Sequence, residues 1–329
     1  MREAGGPQVV VIGGGTGSST LLSALRHYCS DLIALVNMSD DGGSTGRLRA
    51  DYSVLPAGDV RQCLCALANQ DELRQLFDFR FADGSLGGHA FGNIFLAALE
   101  KVTGSFQRAV EIAGDVLQIS GAVIPITVDD ITLCMRGPDG TVIRSEVEVG
   151  HSRFASLRPK LWLDPDGAIS PAAREAIMGA DMVVISPGNL YGSLAPALIV
   201  KGVREALSSS DARCVYVCNL ATNLGQSDGF CVQDFADEIE RLAGGPFLQY
   251  VLFNNAPASA EVTALLGEGE QLVVPKRRRK RHYELVGADL LGAPTGVIAS
   301  AGDELAAVRA NLLHDPTITA AELMKILLA

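Results

Sequence analysis

Short, unbroken apolar runs alternate along this chain with longer stretches in which apolar positions recur every three or four residues. "QVVVIGG" predicts a buried strand, "STLLSALRHY" a helix and "LIALVNM" a second strand; helical spacing follows in "DVRQCLCALAN", "DELRQLFDFRF" and "GNIFLAALEKV". Strands without polar alternation are buried on both faces, so the pattern predicts a mainly parallel sheet with helices on both sides. From about residue 124 to about residue 160 the pattern changes. "IPITVDDITLCMRGPDGTVIRSEVEVG" opens this segment and reads as short alternating strands around a turn at "GPDG", a small antiparallel insertion. The parallel pattern then resumes in "DMVVIS", "RCVYVCN" and "QYVLFNN", each followed by a helical stretch, and "TITAAELMKILLA" closes the chain as an amphipathic helix. The expectation is an α/β, Rossmann-like doubly wound fold, one large domain over residues 1–329. Its polar loops would all open at the carboxyl edge of the sheet, where such folds bind ligands.

Composition narrows the function classes. Many of the 35 glycines cluster directly after apolar runs, where backbone must turn tightly or approach a ligand. A net charge of -11 argues against broad nucleic-acid binding and against an anionic membrane surface. No apolar stretch reaches the roughly 20 residues a bilayer span needs. The start, "MREAGGPQVVVIGGG", enters a strand without a signal-peptide core, so a cytoplasmic location is expected. Of seven cysteines, only Cys63 with Cys65 and Cys214 with Cys218 lie close, at neither zinc-knuckle nor redox spacing, and they read as core packing. The run Lys276 to Arg281, "KRRRKR", reads as a solvated loop or as a local anion contact.

Candidate chemistry sits where the strands end. In "VVVIGGGTGSSTLLSAL", Gly13, Gly14, Gly15 and Gly17 supply a flexible turn, Thr16 a hydroxyl, and the following helix a positive dipole end, together a phosphate-binding loop. Counting G-x-G-x-x-G from Gly13 places Ser18 where a dinucleotide fingerprint needs its third glycine, and a Walker lysine is missing. The loop after strand two, "NMSDDGGSTGRLR", is the most polar of the set. Asp40 and Asp41 are placed to hold a divalent cation such as Mg2+, or a sugar hydroxyl, while Ser44, Thr45, Arg47 and Arg49 can meet anionic oxygens; capping of a following helix is the plainer alternative. In "LPAGDVRQCLCALA", Asp59 reads as a helix cap. Arg61 in the first helical turn opposes the dipole and so implies another partner, such as Asp40 or a phosphate. His89 and Asn93 in "GGHAFGNIF" flank a glycine at a helix start, for a ligand or acid–base role or a structural one. "SPGNLYGSLAP" and "NLATNLGQSDGF" place Gly188, Asn189, Tyr191, Asn219 and Thr222 in loops that suit a base or sugar ring. No G-x-S-x-G elbow occurs, which argues against nucleophilic hydrolysis.

Taken in order, "GGGTGSSTLLSAL", "SDDGGSTGRLR", "LPAGDVRQCLCALA", "GGHAFGNIFLAAL", "SPGNLYGSLAPALIVKGVREAL" and "VYVCNLATNLGQSDGF" resemble the family that joins the YvcK-type gluconeogenesis factors with the phospholactate transferase CofD. The form "DDGGSTGRLR" followed by "LPAGDVRQCLCALA" is similar to the YvcK branch. The resemblance implies a cytosolic protein that binds a UDP-sugar such as UDP-N-acetylglucosamine and acts in cell shape and envelope precursor supply during gluconeogenic growth. It further implies that Gly13 to Gly17 face the diphosphate, Asp40 and Asp41 the sugar or a cation, and Asn189 with Tyr191 the base or ribose. The alternative is a magnesium-dependent, CofD-like transferase moving a phospholactyl-type group from a nucleoside diphosphate to an alcohol, with Asp40, Asp41 or His89 as catalytic candidates. A homo-oligomer is left open.

Overall fold

The computed structural model describes residues 6–137, 139–154, 158–257, 259–276, 281–292 and 312–329. Its main sheet is built from β1 (Gln8–Gly13), β2 (Asp31–Val36), β3 (Ala122–Pro125), β7 (Met182–Ile185), β8 (Arg213–Val217), β9 (Tyr250–Asn254) and β10 (Glu284–Ala288). Between β3 and β7 the chain makes β4 (Thr132–Arg136), β5 (Val142–Arg144) and β6 (Lys160–Asp164). The main sheet runs β10-β9-β8-β7-β1-β2-β3, with every pairing parallel. The small sheet runs β5-β4-β6 and is antiparallel. Setting that insertion aside, the strand order is the doubly wound one, and the chain reverses direction across the sheet between β1 and β7.

The central strands explain why their sequences lack alternation. Val9 and Val10 of β1 and Val183 and Val184 of β7 are all fully buried, because helices cover the sheet. Among the described residues, seven α-helices precede or belong to the insertion: α1 (Gly15–Leu25), α2 (Gly43–Tyr52), α3 (Gly58–Leu67), α4 (Asp71–Asp78), α5 (Phe91–Thr103), α6 (Phe106–Leu117) and α7 (Glu146–His151). The α1 helix packs against α3 and against the closing helix Pro316–Leu328.

Two expectations change. The stretch after β2 is not all loop: from Gly43 onward it is α2, which buries only Ser44, Thr45 and Leu48 and packs on α5. A helix with so few apolar positions has no stripe to read, and its support is tertiary. Residues Ala122–Pro125, at the start of the segment read as antiparallel, instead form the parallel edge strand β3, with Ile33 opposite Ala122.

Candidate functional site

A cavity of about 360 Å3 opens at the carboxyl ends of β1, β7 and β8, at the switch point of the sheet. One wall is the turn between β1 and α1, with Gly14, Gly15, Thr16 and Gly17; Gly13 ends the strand beneath it. The turn is packed too closely for side chains. A Cβ on Gly14 would lie 2.0 Å from Asp59 Oδ2, and one on Gly17 would lie 2.0 Å from the carbonyl oxygen of Pro187. Gly15 has φ +66°, a backbone conformation that favours glycine. At its N-terminus α1 carries neither a side-chain cap of its own nor an acidic residue in its first turn, so its amide dipoles face the cavity.

The opposite wall comes from the loops after β7 and β8. Asn189 Oδ1 accepts from the backbone N–H groups of Tyr191 (3.2 Å) and Gly192 (2.7 Å), which shapes the turn. Asn219 Nδ2 donates to the Gly188 carbonyl at 2.7 Å, tying the two loops together. Thr222 Oγ1 accepts from Gln271 N–H at 2.9 Å. Gly188, Asn189, Asn219 and Thr222 all line the cavity, whereas Tyr191 turns inward. Its ring is fully buried, 5.1 Å from that of Phe154, and burial, then the charge of Glu238, raises its pKa, so Tyr191 braces the loop from within the core. The third wall is Leu312 to Thr319, which includes His314. His314 Nε2 lies 3.0 Å from the Cys218 carbonyl, and burial lowers its pKa to about 4, so the ring is neutral and donates there.

The acidic stretch after β2 stands beside the glycine turn and divides into separate tasks. Both Asp41 oxygens are taken: Oδ2 accepts from Glu146 N–H and Oδ1 from Val147 N–H, each at 3.1 Å, so Asp41 anchors the first turn of α7. Asp40 Oδ1 accepts from Gly42 N–H at 2.9 Å, and burial, with Asp41 adding, raises its pKa. Asp59 approaches the glycine turn from across the fold. Burial, followed by repulsion from Asp40, raises its pKa to about 7. Glu146 is pushed well above the carboxylate range by burial and then by Asp40, Asp59 and Asp41. Carboxylates thus crowd one side of the phosphate loop. Of the two acids put forward for Mg2+, Asp41 has both oxygens engaged by α7 amides, and among the described residues no group of three or more His, Cys, Asp or Glu is arranged to hold a metal ion.

Farther from the cavity, Ser44, His89, Asn93 and Arg61 form one buried chain of hydrogen bonds. Asn93 Nδ2 donates to Ser44 Oγ at 3.2 Å, and Ser44 Oγ shares a hydrogen bond of 3.0 Å with His89 Nδ1. Arg61 Nε donates to Asn93 Oδ1 at 3.1 Å, and its Nη1 pairs with Asp78. Burial, then Arg47, lowers the His89 pKa. Arg47 is exposed, and Arg49 ties the loop down through the Asp40 carbonyl (3.0 Å) and Asp130 (2.6 Å). The partner expected for Arg61 is therefore Asp78, not Asp40.

The family model described as 2-phospho-L-lactate transferase CofD matches residues 9–291. The chain is 34% identical to the gluconeogenesis factor of Listeria innocua over 310 residues, covering 91% of this chain and 94% of that one. It is 37% identical to the gluconeogenesis factor of Halalkalibacterium halodurans over 277 residues, covering 83% and 85%. This chain belongs to the family of CofD and the gluconeogenesis factors. The backbone agrees: a crystal structure of a UPF0052 family member from Bacillus halodurans superposes with a TM-score of 0.84 at 32% identity, over 97% of this chain and 99% of that one.

Within this gluconeogenesis-factor fold, the predicted glycine turn and the loops of Gly188, Asn189, Asn219 and Thr222 converge on one cavity. Ser44, Arg61, His89 and Asn93 converge on one another instead, and none of them lines it. Sequence reasoning missed His314 and Glu146. His314 lies beyond the matched span and reaches the cavity only because the closing helix packs on α1. Glu146 comes from the insertion, and no local pattern announces its arrival beside the glycine turn. Of the basic run, residues 277–280 lie outside the described residues, while Arg281 pairs with Asp237 at 2.7 Å. Among the described residues no helix is long and apolar enough to cross a membrane.

Proposed function

We propose that the cavity binds a nucleoside-diphosphate sugar, of the UDP-N-acetylglucosamine class, and that this cytoplasmic protein uses the bound sugar nucleotide as a regulatory signal in cell shape and envelope precursor supply. The observation that carries this reading is the N-terminus of α1, which has no cap of its own, opening through a glycine turn with no room for side chains onto a cavity edged by asparagine and threonine. Backbone amides and the helix dipole suit a diphosphate. The amide-rich loops of Asn189 and Asn219 suit a base or sugar, and Asp40 stands next to the turn for a sugar hydroxyl. Titration calorimetry with UDP-N-acetylglucosamine, GDP and NAD tests it. Saturable binding of the uridine ligand with weaker binding of the other two is expected; no heat and no thermal shift with any uridine nucleotide overturns it.

The crowded carboxylates favour one second reading, a CofD-like transferase. A buried carboxyl whose pKa is raised to about 7, as at Asp59, is suited to proton transfer at an acceptor alcohol. Release of a nucleoside monophosphate on adding an acceptor alcohol would place this reading above the first.

A further inference from the structure

A second, wider cavity of about 750 Å3 shares α1 with the first, since Thr16 and Thr20 line both. Its walls bring Arg26, Arg61, Arg74 and Arg80 together against only two carboxylates, Asp71 and Asp78. Such a concentration of positive charge is out of keeping with a chain of net charge -11. The acceptors of Arg26 are neutral: the carbonyls of Ala66 (3.2 Å) and Ala68 (2.5 Å) and Asn69 Oδ1 (3.3 Å). Arg61 is buried and held between Asn93 and Asp78, which presents its guanidinium in a fixed orientation. Arg74 pairs at 3.0 Å with an exposed Asp71, a screened contact that a ligand can displace at little cost. Arg80 donates to the Gly88 carbonyl at 2.7 Å.

The rest of the lining says what kind of anion fits. Apolar surface is limited to Cys65, Ala66 and Ala68, and the one ring in the lining is the His27 imidazole, with no Phe, Tyr or Trp, so a nucleobase finds little to stack on here. Hydroxyl and amide side chains of Ser19, Ser23, Gln62 and Asn69 offer hydrogen bonds to a polyol. We propose that this cavity is a binding site for a sugar phosphate, with the phosphate met by the arginines and the hydroxyls met by the amide and hydroxyl groups. The proposal is independent of what occupies the first cavity.

The test is titration calorimetry of the full chain in phosphate-free buffer with glucose 6-phosphate, inorganic phosphate and glucose. Saturable one-site binding of glucose 6-phosphate, at least tenfold weaker binding of inorganic phosphate and none of glucose are expected. Arg74→Glu on α4 and Ser23→Glu on α1 place a carboxylate in the cavity from two different walls. Each should weaken glucose 6-phosphate at least tenfold while keeping the wild-type unfolding temperature within a few degrees; if one variant does not fold, the other carries the test. Four results would overturn the proposal. These are no saturable heat, binding indifferent to a folded variant, inorganic phosphate binding as tightly as the ester, and displacement of the ester by a UDP-sugar, which would place the anion on the glycine turn. Failure of UDP-sugars to bind the unmutated chain would touch only the reading of the first cavity.

Discussion

Asp59 shows most directly how a residue gains its meaning from its surroundings. By sequence it is an ordinary acid in the first turn of a helix; in the fold its carboxylate reaches the glycine turn and stands where a side chain on Gly14 would be. Burial and the neighbouring Asp40 raise its pKa to about 7, against about 3.9 in an unfolded chain, with Arg61 opposing. The sign follows. Below about pH 4 both states hold the proton and there is no penalty; between about 4 and 7 only the unfolded chain has released it, so stability falls as pH rises; above 7 the full cost of the buried charge remains. Asp59→Asn is therefore expected to raise the thermal midpoint at pH 8, with the gain shrinking towards pH 4. An equal gain at both pH values would show that the charge is not the cause. The glycines of the turn were legible from sequence because a close approach demands that residue type; the raised acid was not, because its neighbours come from three separate segments.

At the scale of elements, a side chain from the loop after β2 caps a helix of the insertion. Asp41 accepts from the first two amides of α7, 105 and 106 residues away, and α7 in turn packs on β4 and on the turn Leu190–Leu194. This is an N-terminal cap delivered from a distance, so Asp41→Ala should cost about 0.5–2 kcal/mol in urea denaturation, and Asp41→Asn, which keeps one acceptor oxygen, less. Equal losses would assign the effect to charge alone. The adjacent acids are thus separable, and a ligand-binding test belongs to Asp40. The strands and the amphipathic helices could be read from apolar period. The α2 helix could not, since only Ser44, Thr45 and Leu48 of its residues are buried and its stability is borrowed from α5.

For the whole molecule, the closing helix Pro316–Leu328 connects stability to the site. Leu323 is fully buried where that helix packs on α1, and the segment leading into it forms the third wall of the first cavity. Leu323→Ala should lower stability by about 2–5 kcal/mol and weaken nucleotide-sugar binding as well. Lost stability with unchanged affinity in the folded variant would reduce the helix to a brace. The sequence by itself determined the doubly wound α/β fold, the antiparallel insertion and the glycine turn, because apolar period and the steric needs of a tight turn are local properties written in consecutive residues. Only the tertiary structure decided which polar residues share a cavity. It sent Tyr191 into the core, Asp41 to α7 and Arg61 to Asp78, and it brought His314 to the mouth of the site. A polar side chain has several partners open to it in an unfolded chain, and the one it keeps is set by which distant segments the packed core brings within hydrogen-bonding distance.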